Sequence, residues 1–309
     1  MIFTSQLSWS KHIDSIEQKA RTKLNMMQPL KFKLDRRSIE TIFTSFVMPT
    51  MFYGIEVWGG FYQTHLNKLE QVIIDGMRIV TGATARSNVE NLYQETAWNS
   101  FYIRRDIADL VMMFRIRNKH VPTYLSDICL MHNVDMPNYN LRNKRDILLK
   151  PCRTEVCRRS FLYFASELLN KLNIEIRQCT SIPVFKEKLK AEHKVPNVLY
   201  YYGERWPSVM HARLRIGCSK LNYDVHFNLH IPDVRPSCSC GAMFETVEHF
   251  FLHCPNYINI RNVLKLKVEQ LTEFKIKTIL FGSPNLSKEQ NQLVFDFVHV
   301  YILESKRFS

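Results

Sequence analysis

Four residues near the carboxyl end of the sequence are of the types that bind a metal ion. Cys238 and Cys240 are separated by one residue, eight residues follow before His249, and four more precede Cys254. Three thiolates and an imidazole are the ligands that tetrahedral Zn²⁺ prefers, and four protein ligands leave no position for a substrate water. The spacing therefore predicts a structural zinc site. Free thiols that fall together by chance are the alternative.

The residues around these ligands predict how the chain turns between them. Pro236 and Gly241 are typical of tight turns, Thr246 can cap a short helix that carries His249, and Pro255 can end it. His253 is a rival for His249, but it would have to bind from the same dipeptide as the last cysteine. The segment is short and polar, so we expect bound zinc to supply much of its folding free energy and chelation to unfold it locally.

A second set of residues is basic and predicts contacts with a polyanion. The chain has 42 Lys and Arg against 29 Asp and Glu, a formal charge of +13, which suits nucleic acid or an acidic membrane surface. Near the middle of the chain, the basic residues have few acidic neighbours, and the aromatic residues that follow could stack on bases or form a helix core. The basic residues of this stretch are Arg142, Lys144, Arg145, Lys150, Arg153, Arg158 and Arg159.

Arg213 and Arg215 form a second candidate contact upstream of the cysteines. Apolar residues alternate with them, so one exposed helix face is an equally good interpretation. We predict that these two arginines and the basic stretch bind RNA or DNA with little regard for base sequence and with a strong dependence on salt.

Two other functional classes are considered. A nuclease would need carboxylates, and the best string that the sequence offers is Pro232-Asp233 with Glu273-Phe274-Lys275, which arises easily by chance. A protein-interaction module could instead use the zinc site and the amphipathic last helix, predicted at Lys288 to Glu304. Nucleic-acid binding without catalysis is the prediction, and the salt dependence of binding separates it from a protein-interaction module.

The elements that position these residues are predicted to be mainly α-helical. Apolar residues recur at three-to-four spacing from Trp9 to Leu125, which predicts several packed helices. We divide the chain into this helical region at residues 1–125, a basic connector at residues 126–195 and a zinc-knuckle region with a C-terminal helix at residues 196–309. Further helices are predicted at Phe101 to Lys119, Arg159 to Asn170 and Pro183 to His193. A few short strands are expected near Ile147 to Arg153.

The cysteines and the apolar stretches indicate the cellular compartment in which we expect the protein. Eight cysteines and no signal segment at Met1 predict a nuclear or cytoplasmic protein that is not secreted. Disulfides are the less expected use, and the cysteines outside the zinc site are predicted to be small buried residues. The segment from Ile42 to Phe61 has the length of a membrane span, but it contains Pro49, Glu56 and three glycines, so we predict a buried protein helix and no membrane partner.

Several short motifs occur in order along the chain: Leu7-Ser8-Trp9-Ser10, Tyr53-Gly54-Ile55-Glu56-Val57-Trp58-Gly59, Leu69-Glu70-Gln71-Val72, Arg78-Ile79-Val80-Thr81-Gly82, Leu92-Tyr93-Gln94-Glu95, Tyr139-Asn140-Leu141-Arg142, Arg213-Leu214-Arg215-Ile216-Gly217-Cys218 and Cys238-Ser239-Cys240-Gly241 with Glu248-His249-Phe250 and Cys254-Pro255. Together they resemble the region after the palm of LINE-type, non-LTR retrotransposon reverse transcriptases. The resemblance covers nearly the whole chain, and its most specific part is the cysteine-histidine block. A Trp-Asn-x-Leu-Pro string that this family has is replaced here by Leu169-Asn170-Lys171-Leu172-Asn173.

The resemblance implies that the helices at residues 1–125 are thumb-like. It also implies that the thumb and the zinc region grip template RNA and target DNA during target-primed reverse transcription. The family's palm holds two metal ions on an Asp-Asp pair, and no Asp-Asp dipeptide occurs in this sequence. We therefore expect a truncated or fragmentary element without polymerase activity of its own. An intact retroelement polymerase, or its RNA, is a further expected partner.

Overall fold

The computed structural model describes residues 2, 4, 8–126, 146–149, 151–192 and 203–308. Within these ranges the chain forms helices and turns and no β-strand, which confirms the predicted mainly α-helical fold. The helices are α1 Ser10–Met27, α2 Arg36–Ile42, α3 Met48–Phe52, α4 Ile55–Trp58, α5 Gln63–Thr81, α6 Val89–Thr96, α7 Phe101–Arg117, α8 Thr123–Ser126, α9 Glu155–Arg158, α10 Phe161–Lys171, α11 Ile174–Arg177, α12 Ile182–Glu192, α13 Arg205–Ile216, α14 Ile258–Glu269, α15 Ile276–Phe281 and α16 Lys288–Glu304.

The chain folds as two compact units, each built from separate stretches of sequence. The first unit contains Met1–Lys19, Pro49–Gln71 and Asn99–Val195. The second unit contains Ala20–Met48, Val72–Trp98 and Pro196–Ser309. The division into a thumb-like region, a basic connector and a zinc-knuckle region stays a prediction.

Helices α7, α10 and α12 form the core of the first unit. Their bounds confirm three predicted helices to within two residues at each end. Phe114 of α7 stacks on Phe185 of α12 with ring centroids 4.4 Å apart, and Leu169 of α10 is buried in the same cluster. Burying side chains of this size stabilises the unit by about 1.5 to 3 kcal/mol each.

The strands predicted near Ile147 to Arg153 do not form in the part of this segment that the structure describes. The side-chain amide of Asn170 accepts a hydrogen bond from the Ile147 N–H and donates one to the Ile147 carbonyl, both at 2.9 Å. The side chain of Asn170 thus bonds both backbone groups of Ile147, which makes only an isolated β-bridge. The prediction of strands is wrong for the described residues of this segment.

Two of the cysteines predicted to be buried behave differently. Cys152 and Cys157 form a disulfide, and Cys157 is exposed. Cys152 lies just before α9 and Cys157 lies within this exposed helix, where no hydrophobic core covers them. The prediction that both are small buried residues is therefore wrong. Cys179 and Cys218 are buried as predicted, and Cys129 lies outside the described residues.

The stretch considered as a membrane span is a succession of short helical pieces. Asp35 caps α2 by accepting the Ser38 N–H at 3.0 Å, a wide turn at Phe43–Val47 joins α2 to α3, and Gly54 follows with a φ of +63°. Such a left-handed residue stops the helix. Across the ranges that the structure describes, no helix combines the length and the apolar character that crossing a bilayer requires.

Helices α13, α14 and α16 surround the core of the second unit. Helix α16 has the predicted bounds, and Ser287 and Gln290 form a capping box at its start. The aromatic side chains of Phe250, Phe251 and Tyr301 are buried together, with the Phe250 and Tyr301 ring centroids 5.2 Å apart. This core lies under the predicted metal ligands.

A buried ion triad also stabilises the second unit. The Glu95 carboxylate, with a side chain that is 2% exposed, accepts hydrogen bonds from Arg36 at 2.5 Å and from two Arg215 nitrogens at 2.8 Å each. Burial alone would raise the pKa of Glu95, but the two guanidinium groups outweigh it and hold the pKa below its usual value.

Candidate metal centre

The four predicted metal ligands converge in the structure. The Cys238 and Cys254 sulfurs are 3.7 Å apart, the Cys240 sulfur lies 3.3 Å from Nε2 of His249, and all four ligand atoms lie within 4.8 Å of one another. Zinc bonds of about 2.3 Å to sulfur and 2.0 Å to nitrogen place tetrahedral ligand atoms about 3.5 to 3.8 Å apart. The arrangement therefore fits a tetrahedral ion, and these residues could hold a metal.

A tight turn positions the first two cysteines. Cys238 donates its N–H to the Ala242 carbonyl at 2.9 Å, and Gly241 donates to the Cys238 carbonyl at 3.0 Å. Gly241 has a φ of +96°, a conformation that favours glycine, although a Cβ there would meet no atom within 4 Å. A hydrogen bond from the Ala242 backbone lowers the pKa of the Cys240 thiol and so favours the thiolate that binds metal.

A wide helical turn positions the other two ligands. The Thr246 hydroxyl accepts the His249 N–H at 3.1 Å, as predicted for a cap. The turn spans His249–His253 and closes when Cys254 donates its N–H to the His249 carbonyl at 2.7 Å, which brings both ligands to one side. His253 is exposed and lies outside the ligand group, so His249 is the histidine of the site.

The ligands differ in their exposure to solvent. Cys238 and Cys254 are buried, whereas Cys240 and His249 are partly exposed. Burial raises the pKa of the Cys254 thiol to about 12 and lowers the pKa of His249. The imidazole is thereby held in the neutral form that binds metal, and the buried thiol must lose a proton when a metal binds.

The candidate metal ligands lie on the hydrophobic core of the second unit. Phe250 and Phe251, which lie between two of the ligands, are fully buried, and the Tyr301 hydroxyl donates to the Phe250 carbonyl at 2.6 Å. Arg261 donates to the Phe251 carbonyl at 3.0 Å and also to the carbonyl of Cys254. The turn thus inserts two aromatic rings into the core of the second unit, and the ligand segment packs on residues from elsewhere in the chain.

An ion pair joins the base of the cysteine turn to the end of the chain. The buried Glu245 accepts the Asn222 N–H at 2.8 Å and two Arg307 nitrogens at 2.7 and 2.6 Å. Asn222 also donates its amide to the Ser237 carbonyl at 2.7 Å. These bonds hold the residues on either side of the first two ligands, so part of the geometry is maintained by protein contacts.

The predicted basic stretch is only partly within the described residues. Arg142, Lys144, Arg145 and Lys150 lie outside them. Arg153 and Arg158 are exposed, whereas Arg159 is half-buried, pairs with Glu155 at 3.4 Å and lies 4.0 Å from the centre of the Tyr62 ring.

Arg159 lines a cavity of about 440 Å³ in the first unit, which sequence reasoning missed. Tyr102, Arg105 and Phe164 line it too, and the Arg105 guanidinium lies 4.6 Å from the centre of the Phe164 ring. Cations stacked on rings are typical of surfaces that bind single-stranded nucleic acid. The rings come from segments far apart in the sequence, so no local pattern could have revealed the group.

The second pair of predicted arginines is used inside the second unit. Arg215 is the buried partner of Glu95, with a side chain that is 3% exposed. Arg213 is half-buried and donates to the Gly82 carbonyl at 2.9 Å. Arg215 is therefore not part of the nucleic-acid surface that we propose.

The nuclease strings acquire no metal-binding geometry in the part of the chain that the structure describes. Asp233 and Glu273 are exposed, Glu273 pairs with Lys275, and neither carboxylate belongs to a group that could hold a metal ion.

Comparison with known proteins shows partial similarity to retrotransposon polymerases. The RNA-directed DNA polymerase from mobile element jockey of Drosophila melanogaster is 35% identical over 81 residues, which cover 25% of this chain and 9% of that protein. The jockey polymerase of Drosophila funebris is 30% identical over 86 residues, 27% of this chain and 9% of its own length. No protein-family model and no solved structure matches the chain. The chain is thus related in part to a retrotransposon reverse transcriptase, and the match spans about a tenth of those relatives' length.

Proposed function

We propose that this chain is a nucleic-acid-binding part of a LINE-type reverse transcriptase, with a structural zinc ion in its C-terminal region. The observation that carries the proposal is the convergence of Cys238, Cys240, His249 and Cys254 in a chain that is partly similar to jockey polymerases. Bound zinc would hold the two ends of the turn together, and the basic surface would bind RNA or DNA.

The zinc part of the proposal is tested by metal analysis of the purified chain. We expect one zinc per chain, lost in Cys254→Ala and retained in Cys179→Ala, which removes another buried thiol outside the ligand group. Absence of metal from the wild-type chain, or equal retention by the two variants, would contradict the proposal.

The nucleic-acid part is tested through the salt dependence of binding. Arg158→Glu with Arg159→Glu should weaken binding of a labelled single-stranded oligonucleotide and flatten the dependence by about 0.7 per lost phosphate contact. Lys190→Glu, an exposed change on α12, is the control. If Lys190→Glu alone reduces the slope by half as much as the double arginine variant does, or by more, the surface is not where we place it.

A protein-interaction module remains a second candidate because apolar side chains lie exposed beside the site. Met243 is 75% exposed, and Phe227 and Phe244 are 42% and 40% exposed and near each other. A chain that carries zinc but binds no polynucleotide at any salt concentration would favour this candidate. An intact element's polymerase would then be the partner to test first.

Polymerase activity is proposed to be absent from this chain. The sequence has no Asp-Asp pair to hold the two catalytic metal ions. Template-dependent incorporation of deoxynucleotides by the purified chain would overturn this part of the proposal.

A further inference from the structure

A cavity of about 260 Å³ in the second unit is lined by three cations and one carboxylate. The walls come from α1, the turn that follows it, α5 and the loop after α5. The polar lining residues are Arg21, Asn25, Gln28, Lys31, Asp75 and Arg78. The cavity therefore carries more positive than negative charge.

The single carboxylate is already engaged by two of the cations. Asp75 accepts from Arg21 at 3.2 Å and from Arg78 at 2.9 Å. The Arg21 side chain is 40% exposed and that of Arg78 is 18% exposed, so the lining runs from solvent to the interior. Nε of Arg78 is buried without a hydrogen-bond partner among the described residues. A buried donor of this kind is costly unless an acceptor reaches it.

Two further arginines, Arg205 and Arg213, lie near Lys31, the half-buried lysine of the cavity. Arg205 donates to the Lys31 carbonyl at 2.8 Å, and the Lys31 ammonium donates to the Ala83 carbonyl at 3.1 Å. Burial, with the nearby charges of Arg213 and Arg205, lowers the pKa of Lys31 to about 8. The ammonium keeps two of its three N–H donors for other acceptors.

Only part of the positive charge around the cavity is explained by a structural role within the protein. Arg205 donates to the Ile79 carbonyl at 3.1 Å, so it and its neighbours offset the negative end of α5. Among the residues that line the cavity, Arg21, Lys31 and Arg78 carry three positive charges, against the one carboxylate of Asp75 and about half a negative charge from the helix end. Positive charge therefore exceeds negative charge in the lining.

We propose that this cavity binds a phosphate group. Guanidinium and ammonium groups are the side chains that recognise phosphate, and 260 Å³ is below the roughly 300 to 1,000 Å³ of pockets for drug-sized ligands, so it suits one phosphate with part of a sugar. The phosphate could belong to a polynucleotide backbone or to a small molecule. Phosphate binding in this cavity does not depend on the nucleic-acid-binding function proposed above.

The first test is protection of Lys31 from acylation in the full wild-type chain. Acetic anhydride at pH 8 modifies uncharged amines, and mass spectrometry compares Lys31 with Lys33, an exposed lysine two residues away that does not line the cavity. We expect pyrophosphate, a twelve-nucleotide oligothymidylate or both to slow modification of Lys31 and leave Lys33 unchanged. Protection by the oligonucleotide identifies a backbone phosphate, and protection by pyrophosphate alone identifies a small phosphate. Protection by neither overturns the proposal.

The second test compares the affinities of two charge-matched variants for the oligonucleotide. Where the oligonucleotide protects Lys31, Lys31→Met should lower the affinity about fivefold at 0.1 M salt, since each single-strand phosphate contact contributes a slope of about 0.7. Lys33→Met should change it less. Equal losses contradict a backbone phosphate in this cavity, even if polynucleotide binding itself persists. If Lys31→Met does not fold, the protection experiment on the wild-type chain decides.

Discussion

Replacing Glu95 by glutamine should destabilise the second unit strongly, because it leaves two buried arginines without their counter-ion. The change preserves the size of the side chain and removes one negative charge. Arg36 and Arg215 both donate to this carboxylate, and the Arg36 and Arg215 side chains are only 2% and 3% exposed. Breaking a buried ion pair by removing one partner costs about 3 to 5 kcal/mol, since the remaining charge is desolvated without compensation.

Urea unfolding followed by circular dichroism provides the measurement. With a urea m-value of about 3 kcal/mol/M, the loss lowers the unfolding midpoint by at least about 1 M. Glu90→Gln is the matched control, because Glu90 is an exposed residue of the same helix and should change the midpoint little. A shift for Glu95→Gln no larger than that of Glu90→Gln would refute the argument that this carboxylate organises the unit.

The triad also predicts that Arg215 stabilises the fold and does not contact nucleic acid. Arg215→Met should lower the midpoint and leave the oligonucleotide affinity of the folded chain unchanged. An unchanged midpoint together with weaker binding would return Arg215 to the nucleic-acid surface, as the sequence predicted.

Three further predictions concern single residues. Burial raises the pKa of Asp109 to about 8, so the wild-type chain loses stability as the pH rises from the usual carboxyl pKa towards 8. Asp109→Asn should therefore gain about 4 kcal/mol more at pH 8 than at pH 5 in thermal unfolding, and an equal gain at both pH values contradicts this. Gly241→Ala should weaken zinc binding in a competition with a chelator, because its φ of +96° strains any residue with a Cβ, whereas Ala242→Gly should not. Tyr301→Phe should cost about 1 kcal/mol through the lost bond to the Phe250 carbonyl, and no change in the unfolding midpoint would argue against that bond.

The metal ligands could be predicted from the sequence because their geometry is local. All four fall within seventeen consecutive positions, and the turn at Gly241 and the cap at Thr246 follow from the preferences of glycine and threonine. The core beneath the ligands could not be predicted in the same way. Phe250 meets Tyr301 fifty-one residues later, and no periodicity within the short segment indicates that partner.

Helices were predictable for a similar reason, and the strands were not. A helix is closed by bonds four residues apart, so apolar spacing and caps predicted α7, α12 and α16 well. The sequence predicted strands near Ile147, but in the described part of this segment the backbone of Ile147 is bonded by the side chain of Asn170, twenty-three residues later. No local pattern in the sequence indicates that contact.

Composition predicted a polyanionic partner, but it could not assign individual arginines to that partner. Arg215 donates to a buried glutamate 120 residues away in the sequence, and Arg307 donates to one 62 residues away. Part of the positive charge is therefore neutralised inside the second unit. Lys31 and Arg78 look equally ordinary in the sequence, yet they line a cavity where positive charge exceeds negative. The charge that can bind phosphate is therefore what remains after the internal pairs are formed, and only the three-dimensional arrangement separates the two groups.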